Sequence, residues 1–271
     1  MLSIIITHHQ TPALLKLCLK SIRDNIGDIE HEIIIAESES RVKDQQEIQE
    51  VFGEVNFISF EENLGYAKLV NSGLRQTKGE YILILNADII VLKGAIKEML
   101  QFIEEHPLVG MVGPQLLTFA NKVQPSCFHF PTLGAILARR TFLGKLKWGR
   151  KKIKGFVIKP MLEVGTPTFM AVDWLQGSAF LVRKSAVEKA GLLDERFFMY
   201  LEDADWCRRF WQNGFEVVYL ADAQMAHYYY RSSQRLGGLL DLFFNKYARM
   251  HLVSAAKYFW KWRGNKIKNE K

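Results

Sequence analysis

The 271-residue chain contains only three cysteines, and their positions exclude a cysteine-based framework. Cys18, Cys127 and Cys207 are far apart in the sequence, and no C-x-x-C pair occurs. A disulfide scaffold or a structural zinc site needs an even or a clustered set of cysteines. We therefore expect neither kind of site, and we expect the protein to work in a reducing compartment.

Long apolar runs are also missing. No stretch reaches the roughly 18 apolar residues that a membrane-spanning helix requires. The first apolar run, residues 3–7, has no basic region before it and no small-residue cleavage site after it, so we do not expect a signal peptide. The sequence predicts a chain that does not cross a membrane.

Three well-known catalytic fingerprints are absent as well. The chain has no G-x-G-x-x-G, no G-x-x-x-x-G-K-[ST] and no G-x-S-x-G segment. These absences exclude a dinucleotide-dependent oxidoreductase, a P-loop nucleotidase and a hydrolase with a nucleophile elbow.

What is present is a globular composition, with 48% hydrophobic and 24% charged residues. Over the first 115 residues, short apolar runs alternate with amphipathic segments, which predicts βαβ units and a mostly parallel sheet flanked by helices. The predicted strands cover residues 3–7, 32–36, 55–60, 81–85 and 109–112, the last ended by Gly113-Pro114. Residues 115–171 show no clear secondary-structure pattern and are expected to form a long excursion outside the core. A regular pattern returns at residues 172–183.

Charge is distributed unevenly along the chain. Residues 1–120 carry 10 Lys or Arg against 17 Asp or Glu, whereas residues 121–271 carry 26 against 12. Residues 139–159 hold nine basic residues and no acid, mixed with Phe, Leu and Trp. This pattern is typical of a surface that meets anionic lipid, although a solvated basic face and a nucleic-acid-binding face remain open.

A basic helix is predicted near the end of the sequence, within residues 237–263. Its apolar side carries five residues at helical spacing: Leu239, Phe243, Tyr247, Met250 and Val253. Such a helix either packs on the core or lies on a membrane, and the membrane interpretation needs the apolar side to be exposed.

Polar residues follow the fourth and most apolar strand, at the edge where parallel sheets bind ligands. Asn86 and Asp88 lie there. A carboxylate at this edge can hold Mg²⁺ shared with phosphates, but the same two residues also suit an Asx turn or a helix cap.

A second acidic group, Glu202, Asp203 and Asp205, lies where a helix is predicted to begin. An ionised carboxylate there could accept a proton from a bound hydroxyl, and an acidic first turn is also a common helix cap. His227 follows a further strand-like run, and a single His is more often a structural residue than a ligand.

In order along the chain, the motifs resemble those of family-2 glycosyltransferases of the GT-A fold, in particular the bacterial rhamnosyltransferase-like branch. They are I-I-I-T, E-I-I-I-A-E-S, E-N-L-G-Y-A-K-L-V-N-S-G, G-E-Y-I-L-I-L-N-A-D, W-L-Q-G-S-A-F-L-V-R, G-L-L-D-E-R-F-F-M-Y-L-E-D-A-D-W-C-R-R and A-H-Y-Y-Y-R. The likeness covers about residues 2–230. It implies a GT-A domain over 1–230, with a nucleotide-sugar half (1–115), an acceptor and catalytic half (116–230), and a basic C-terminal helical extension (231–271).

The resemblance also implies roles for individual residues. Asp203 matches the catalytic base, with Glu202 and Asp205 supporting the geometry of the acceptor or loop, and Asp88 and His227 match residues that reach the metal or diphosphate. Glu37 stands where the family usually has an Asp that contacts the base, and Asn63 and Gly65 shape the base and ribose pocket. The remaining predicted donor-site residues are Thr7, Lys68, Asn71 and Asn86, and the predicted acceptor-site residues are Trp174, Gln176, Gly177 and Trp206.

The implied activity is inverting glycosyl transfer that uses Mg²⁺ or Mn²⁺. The implied donor is a nucleotide diphosphate-sugar, with dTDP-rhamnose as our expectation, and the acceptor is a saccharide or a lipid-linked saccharide in cell-surface polysaccharide synthesis. We expect a cytoplasmic protein that is peripheral on the inner membrane, contacts anionic lipid and does not bind nucleic acid. The alternative is a non-catalytic nucleotide-sugar-binding partner subunit, because Asn86 replaces the first acid of the D-x-D motif.

Overall fold

A computed structural model of the protein describes residues 1–140, 142–158, 168–228 and 245–264. The strands are β1 Leu2–His9, β2 His31–Ser38, β3 Val55–Phe60, β4 Tyr81–Asn86, β5 Ile89–Val91, β6 Val109–Leu117, β7 Cys127–Phe128, β8 Phe169–Ala171, β9 Trp174–Leu175, β10 Ala179–Arg183 and β11 Glu216–His227. The helices are α1 Pro12–Asn25, α2 Val42–Val51, α3 Tyr66–Leu74, α4 Ala95–Glu105, α5 Leu133–Arg140, α6 Lys147–Lys154, α7 Lys184–Ala190, α8 Glu202–Gln212 and α9 Lys246–Lys261, with a 3₁₀ turn at Phe142–Lys145.

The central sheet has the strand order β3-β2-β1-β4-β10-β6-β11-β5. Strand β5 pairs with the end of β11, at Met225–His227, and the ninth strand, β8, pairs with an earlier part of β11, at Val218–Leu220. Strands β3, β2, β1, β4, β6 and β11 run in one direction, and β10, β5 and β8 run against them. The expectation of a mostly parallel sheet flanked by helices is therefore confirmed. Strands β7 and β9 form a separate two-stranded sheet.

Two hydrophobic layers cover the two faces of the central sheet. Along β1, Ile4 and Ile6 point to one layer and Ile5 to the other, as the two-residue period of a strand requires. The first layer includes buried residues of α1 and α4, and the second includes those of α3, α7 and α8. Because both faces are covered, each inner strand is apolar throughout, and this explains the clear apolar runs in the sequence.

Strand β6 is longer than the sequence predicts. The expected end at Gly113-Pro114 is wrong, because the strand continues to Leu117. Gly113 packs under Leu175, and a Cβ at that glycine would lie 2.6 Å from Leu175 Cδ2. Pro114 is tolerated because pairing with β10 stops at Val112 and the register with β11 shifts just after its partner, Leu220.

The segment predicted to be an excursion from the core also differs. Within residues 115–171, α5, the 3₁₀ turn and α6 form a helical hairpin that is attached to the β7/β9 sheet. Ile136, Phe128 and Phe156 are 2%, 5% and 2% exposed and belong to the second hydrophobic layer. The segment therefore supplies core side chains as well as surface.

Helix α9 covers the described part of the predicted C-terminal helix, and residues 237–244 lie outside the described residues. It packs through Ala255 and Tyr258, and Ser254 donates a hydrogen bond of 2.8 Å to the carbonyl of Met199. The predicted apolar side is not the packed one, since Tyr247 and Val253 are exposed. Among the described residues, no helix combines the length and the apolar character needed to cross a bilayer.

Candidate functional site

The candidate site forms where β1, β4 and the loop before β10 meet. The Thr7 hydroxyl donates a hydrogen bond of 3.0 Å to Asn86 Oδ1, and the Asn86 N–H donates one of 2.9 Å to the carbonyl of Ser178. Antiparallel pairing of β4 with β10 brings the loop Gln176–Ser178 to the carboxyl end of β4. Residues more than 90 positions apart in the sequence are thereby placed at one edge of the sheet.

Asp88 and His227 lie next to each other at this edge. The antiparallel pairing of β5 with β11 sets His227 opposite Ile89, and His227 Nε2 is 3.4 Å from Asp88 Oδ2. His227 Nδ1 is 3.0 Å from Oε1 of Gln124, which can only accept, so Nδ1 carries the proton. In the neutral ring Nε2 then carries the lone pair, on the side that faces Asp88.

The pair fits a divalent cation that takes few ligands from the protein. Asp88 Oδ1 is buried and has no hydrogen-bond partner within the described residues, and Asp88 remains partly exposed. Among those residues no group of three or more His, Cys, Asp and Glu side chains could hold a metal. Mg²⁺ characteristically takes one or two carboxylates and completes its shell with phosphate oxygens and water. Asp88 and His227 are the residues that could hold such an ion.

Asp203 lies beneath the loop Gln176–Ser178, at the first turn of α8. Its Oδ2 accepts a hydrogen bond of 2.8 Å from the Gly177 N–H, and its Oδ1 accepts one of 2.8 Å from the Ala204 N–H. Burial raises the pKa of Asp203 to about 6, and these two N–H donors oppose the rise. A carboxylate can accept about four hydrogen bonds, so both oxygens retain lone pairs for a hydroxyl.

Glu202, beside Asp203, is in a less polar position. It is 5% exposed, and its Oε2 has no hydrogen-bond partner in the described part of the chain. Burial, followed by the negative charge of Asp203, raises the pKa of Glu202 well above its usual value. Burial therefore favours the neutral form of Glu202 more strongly than that of Asp203, whose carboxylate has two N–H donors.

The backbone that leads into α8 is strained. Tyr200 and Leu201, two successive residues other than glycine, have φ values of 74° and 67°. Each such residue costs about 1–3 kcal/mol, and strain of this kind is concentrated at functional sites. The strained turn places Glu202 and Asp203 at the N-terminus of the helix, where its dipole favours an ionised acid.

Glu37 does not reach the surface as a base-contacting residue would. It is 1% exposed, and its carboxylate contacts His8 Nδ1 at 2.9 Å, Ser59 Oγ at 2.9 Å and the amide of Gln45. Burial raises the pKa of Glu37, but the hydrogen bonds, the largest from His8, outweigh it and lower the pKa overall. Its extra methylene, relative to Asp, directs the carboxylate under the loop after β1, where it orients His8.

The exposed polar groups at this end belong to neighbouring residues. Asn63 accepts a hydrogen bond of 3.0 Å from the Gly65 N–H, and its Nδ2 lies 3.1 Å from His9 Nε2. A cavity of about 290 Å³ opens beside them at the ends of β1 and β2, lined by His8, Gln10, Pro12, Glu39, Ser40, Arg41 and Asp44. Neither Asp88 nor Asp203 lines this cavity, so the site extends along the sheet edge rather than filling one pocket.

Residues 3–150, just over half of the chain, match the family model described as "Glycosyl transferase family 2". The chain belongs to glycosyl transferase family 2. It is 30% identical over 216 residues to N-acetylglucosaminyl-diphospho-decaprenol L-rhamnosyltransferase of Mycobacterium tuberculosis H37Rv, covering 75% of this chain and 68% of that protein. It is 27% identical over 268 residues to rhamnosyltransferase WbbL of Escherichia coli K12, covering 95% and 92%.

The fold of this glycosyltransferase is similar to that of solved GT-A transferases. The structure of GalNAc-T7 with UDP, GalNAc and Mn²⁺ aligns with a TM-score of 0.65 at 15% identity. The alignment covers 84% of this chain and 43% of that one, so the chain spans less than half of that transferase. The predictions of a family-2 glycosyltransferase and of a GT-A fold are both confirmed.

Three residues predicted to bind substrate or support catalysis have packing contacts instead. Asn71 is buried, and its side chain bonds both the N–H and the carbonyl of Leu193. Trp206 is fully buried and donates to the carbonyl of Gly191, so it cannot touch an acceptor. Asp205 is also fully buried; it is bonded by Arg209 within α8, and by Lys261 and Trp262, which fasten the end of α9 to α8.

The other predicted donor and acceptor residues lie near the site. Lys68 is exposed on α3, on the side of Glu195. Trp174 packs against Phe128, with ring centroids 4.9 Å apart, and its indole lies near the Asp203 carboxylate without a hydrogen bond of good geometry among the described residues. The Gln176 side chain donates a hydrogen bond of 2.8 Å to Ser178 Oγ.

Sequence reasoning missed three residues that build the site. Gln124 orients His227, Tyr66 donates a hydrogen bond to the carbonyl of Gly177, and His8 lies between Glu37 and the Thr11 N–H. His8 and Tyr66 belong to motifs at the carboxyl ends of strands, and this position could have identified them as candidate site residues. Gln124 gives no such signal, because it lies in the segment expected to be an excursion.

Proposed function

We propose that this glycosyltransferase inverts the anomeric centre while it moves rhamnose from dTDP-rhamnose to a saccharide or lipid-linked saccharide acceptor. The observation that carries the proposal is Asp203, a carboxylate with a raised pKa held beside the end of β4 by the Gly177 N–H. The similarity to two proteins named rhamnosyltransferases supports the choice of sugar.

The proposed reaction needs one proton transfer. The acceptor hydroxyl gives its proton to Asp203 as its oxygen attacks the anomeric carbon from the face opposite the diphosphate. The bond from the anomeric carbon to the diphosphate oxygen breaks, and its electron pair leaves with the diphosphate. A carboxylate whose pKa is near the working pH suits a general base, because it is ionised and still basic.

The proposed metal is Mg²⁺ or Mn²⁺, held by Asp88 and His227. When bound, such an ion neutralises the charge that develops on the leaving diphosphate. The buried, unpartnered Oδ1 of Asp88 supports this assignment. Thr7 and Asn86 bond each other beside Asp88 and would line the path of the diphosphate.

For the nucleotide, we propose the cavity of about 290 Å³ at the ends of β1 and β2. Asn63 Nδ2 lies 3.1 Å from Nε2 of His9, which stands between the lining residues His8 and Gln10, and the buried Glu37 carboxylate contacts His8. The base would then be recognised by the groups that line the cavity rather than by the Glu37 carboxylate.

The proposed location is the cytoplasmic face of the inner membrane, with the protein bound peripherally to anionic lipid. The basic charge of residues 121–271 supports this location. So do the three buried free cysteines, which suit a reducing compartment.

A donor panel tests the function. The purified chain is incubated with dTDP-rhamnose, UDP-glucose, UDP-N-acetylglucosamine and GDP-mannose, with Mn²⁺ or with a chelator, and with a lipid-linked or a soluble saccharide acceptor. We expect metal-dependent transfer from dTDP-rhamnose and an inverted product anomer by NMR. Transfer from another donor alone would contradict the choice of sugar. Metal-dependent stabilisation by a donor, without any transfer, would favour the non-catalytic subunit that Asn86 leaves open.

A further inference from the structure

We infer that the hairpin of α5, the 3₁₀ turn and α6 docks on an anionic lipid surface, with Leu133 and Trp148 entering the interfacial layer. The inference rests on the proposed function in one respect, since a lipid-linked acceptor requires the cleft to lie close to a membrane. The surface in question, here the hairpin surface, comprises Leu133, Leu146, Trp148 and the basic side chains of residues 145–154.

The apolar part of the hairpin surface is exposed to solvent. Leu133, Leu146 and Trp148 are 60%, 50% and 48% exposed. The Trp148 ring covers Gly134, since a Cβ on that glycine would lie 3.5 Å from Trp148 Cζ2 and 3.7 Å from Lys152 Cε. Trp148 therefore lies across α5 at Gly134, the residue that follows Leu133, and both helices contribute exposed apolar side chains to this part of the hairpin.

Positive charge surrounds these side chains. Six exposed basic residues belong to this part of the hairpin: Lys145, Lys147, Arg150, Lys151, Lys152 and Lys154. None of them takes part in an ion pair with another described residue. The sequence has no Asp or Glu from residue 106 to residue 162, so no acid of this segment offsets the charge.

The hairpin is closely packed, so the surface is preformed. A Cβ on Gly144 would lie 2.3 Å from the Ala138 carbonyl oxygen, and one on Gly149 would lie 1.9 Å from that of Leu143. The two glycines let the chain turn back at van der Waals distance. Binding therefore needs little ordering of the hairpin, and the interaction energy is not lost to conformational entropy.

The position of the hairpin connects lipid binding to the proposed acceptor side. It leaves and rejoins the β7/β9 sheet, where Ile158 N–H donates to the carbonyl of Cys127 at 3.3 Å and His129 N–H donates to that of Phe156 at 3.0 Å. Strand β9 leads directly into Gln176 and Gly177, and the latter holds Asp203. A hairpin docked on lipid would bring a lipid-linked acceptor to that loop.

The chemistry of the surface favours lipid over nucleic acid. Nucleic-acid phosphates would attract the same lysines, but they give exposed leucines no favourable environment. An interfacial helix, by contrast, combines Lys and Arg with Trp and Leu, because the charges meet headgroups while the apolar groups enter the acyl boundary. The occupant is therefore an anionic bilayer.

Co-sedimentation with phosphatidylcholine vesicles, with and without phosphatidylglycerol, tests the inference on the full chain. We expect binding only with phosphatidylglycerol. K151Q/K154Q should weaken it about 30-fold, since each lysine near an anionic leaflet contributes about fivefold. The matched control is K93Q/K97Q, which removes the same charge from two exposed lysines outside the hairpin, Lys93 just before α4 and Lys97 on α4. This control should bind vesicles as the wild type does.

A second matched pair tests the apolar contact. Leu133→Ser should weaken vesicle binding about tenfold. Leu108→Ser, at a leucine that is 66% exposed outside the hairpin surface, should leave it unchanged. Circular dichroism melts confirm that the variants fold. Equal binding to both kinds of vesicle, wild-type binding by both hairpin variants, or binding of a DNA or RNA duplex without vesicle binding would each overturn the inference.

The two proposals fail separately. Vesicle binding requires no donor, so a chain that binds phosphatidylglycerol vesicles through the hairpin but transfers no sugar contradicts only the proposed function. A chain that transfers rhamnose to a soluble acceptor and does not bind vesicles contradicts the docking surface and the proposed peripheral location, but not the proposed activity.

Discussion

Gln124 accepts a hydrogen bond from His227, with 3.0 Å between Oε1 and the imidazole Nδ1. This contact fixes the tautomer that turns the Nε2 lone pair toward Asp88. The amide nitrogen of Gln124 lies 3.4 Å from Oε1 of Gln176, whose loop holds Asp203. One side chain therefore connects the proposed metal position with the proposed general base.

We predict that Gln124→Leu weakens Mn²⁺ binding roughly 10- to 100-fold, the usual effect of losing a group that orients a metal-binding histidine. Isothermal titration of Mn²⁺ in the presence of dTDP measures this affinity directly, without turnover. Gln124→Glu keeps an oxygen for Nδ1 and should retain most of the affinity. Wild-type affinity in the leucine variant would contradict the positioning role.

Gln115 provides a matched control for loss of a buried glutamine. It is 2% exposed, donates to Tyr219 Oη at 3.1 Å and accepts from Gln224 at 3.0 Å, with no contact to His227. Gln115→Leu should lower the melting temperature to a similar extent as Gln124→Leu. Its Mn²⁺ affinity should match that of the wild type, which separates orientation of the histidine from a general loss of stability.

Asp203→Asn should reduce kcat by roughly two to four orders of magnitude, the range typical of a lost general base. Asparagine keeps an oxygen for the Gly177 N–H but cannot take the hydroxyl proton, so donor affinity should stay near that of the wild type. Single-turnover rates and donor titration measure the two effects. Asp222→Asn, at an exposed acid on β11, should change neither. Unimpaired turnover would remove Asp203 from the proposed role.

The pH profile should show the raised pKa of Asp203. A base with a pKa of about 6 is ionised above that pH, so kcat/KM should be level above pH 6. Below it, the rate should fall about tenfold per pH unit, because only the deprotonated form accepts the proton. Asp203→Asn should lack this ascending limb. An inflection near pH 4, the range of an ordinary carboxyl group, would contradict the assignment.

Glu202→Gln should have a small effect despite its position next to Asp203. Because burial raises the pKa of Glu202 and so favours its neutral form, glutamine reproduces that form and its shape. We expect kcat to change less than about threefold and the inflection near pH 6 to remain, since a neutral neighbour adds no charge to Asp203. The same kinetic series measures both. A large loss of kcat would show that the Glu202 proton itself takes part in the reaction.

The sequence allowed the first half of the fold to be predicted, because β1 to β4 are covered on both faces and appear as apolar runs. It did not allow the full length of β6 to be predicted. That strand passes Pro114, and it persists because it pairs with β11, whose register shifts just after Leu220, the partner of Pro114. The local strand propensity of the residues does not show which strands will pair or where the register will shift.

The site was predictable only where motifs identify it. Asp88 and Asp203 come from the order of motifs, whereas Asp88 alone fits an Asx turn equally well and Asp203 alone fits a helix cap better than a catalytic role. Gln124 could not be found in this way, because its partners His227 and Gln176 are 103 and 52 positions away. The packing roles of Asn71 and Trp206 likewise depend on tertiary contacts that the spacing does not show.

Gly65→Ala should destabilise the protein and weaken donor binding, because Gly65 combines a φ of 78° with a close approach: a Cβ would lie 2.2 Å from the Phe198 carbonyl oxygen. Gly94 has a φ of 82° and nothing within 4 Å of such a Cβ, so Gly94→Ala isolates the backbone cost, about 1 kcal/mol. We expect Gly65→Ala to cost about 1–3 kcal/mol more, from overpacking, in chemical denaturation. The loop before α8 would then shift, and Asp203 with it. Equal stability of the two variants would show that this approach does not constrain the site.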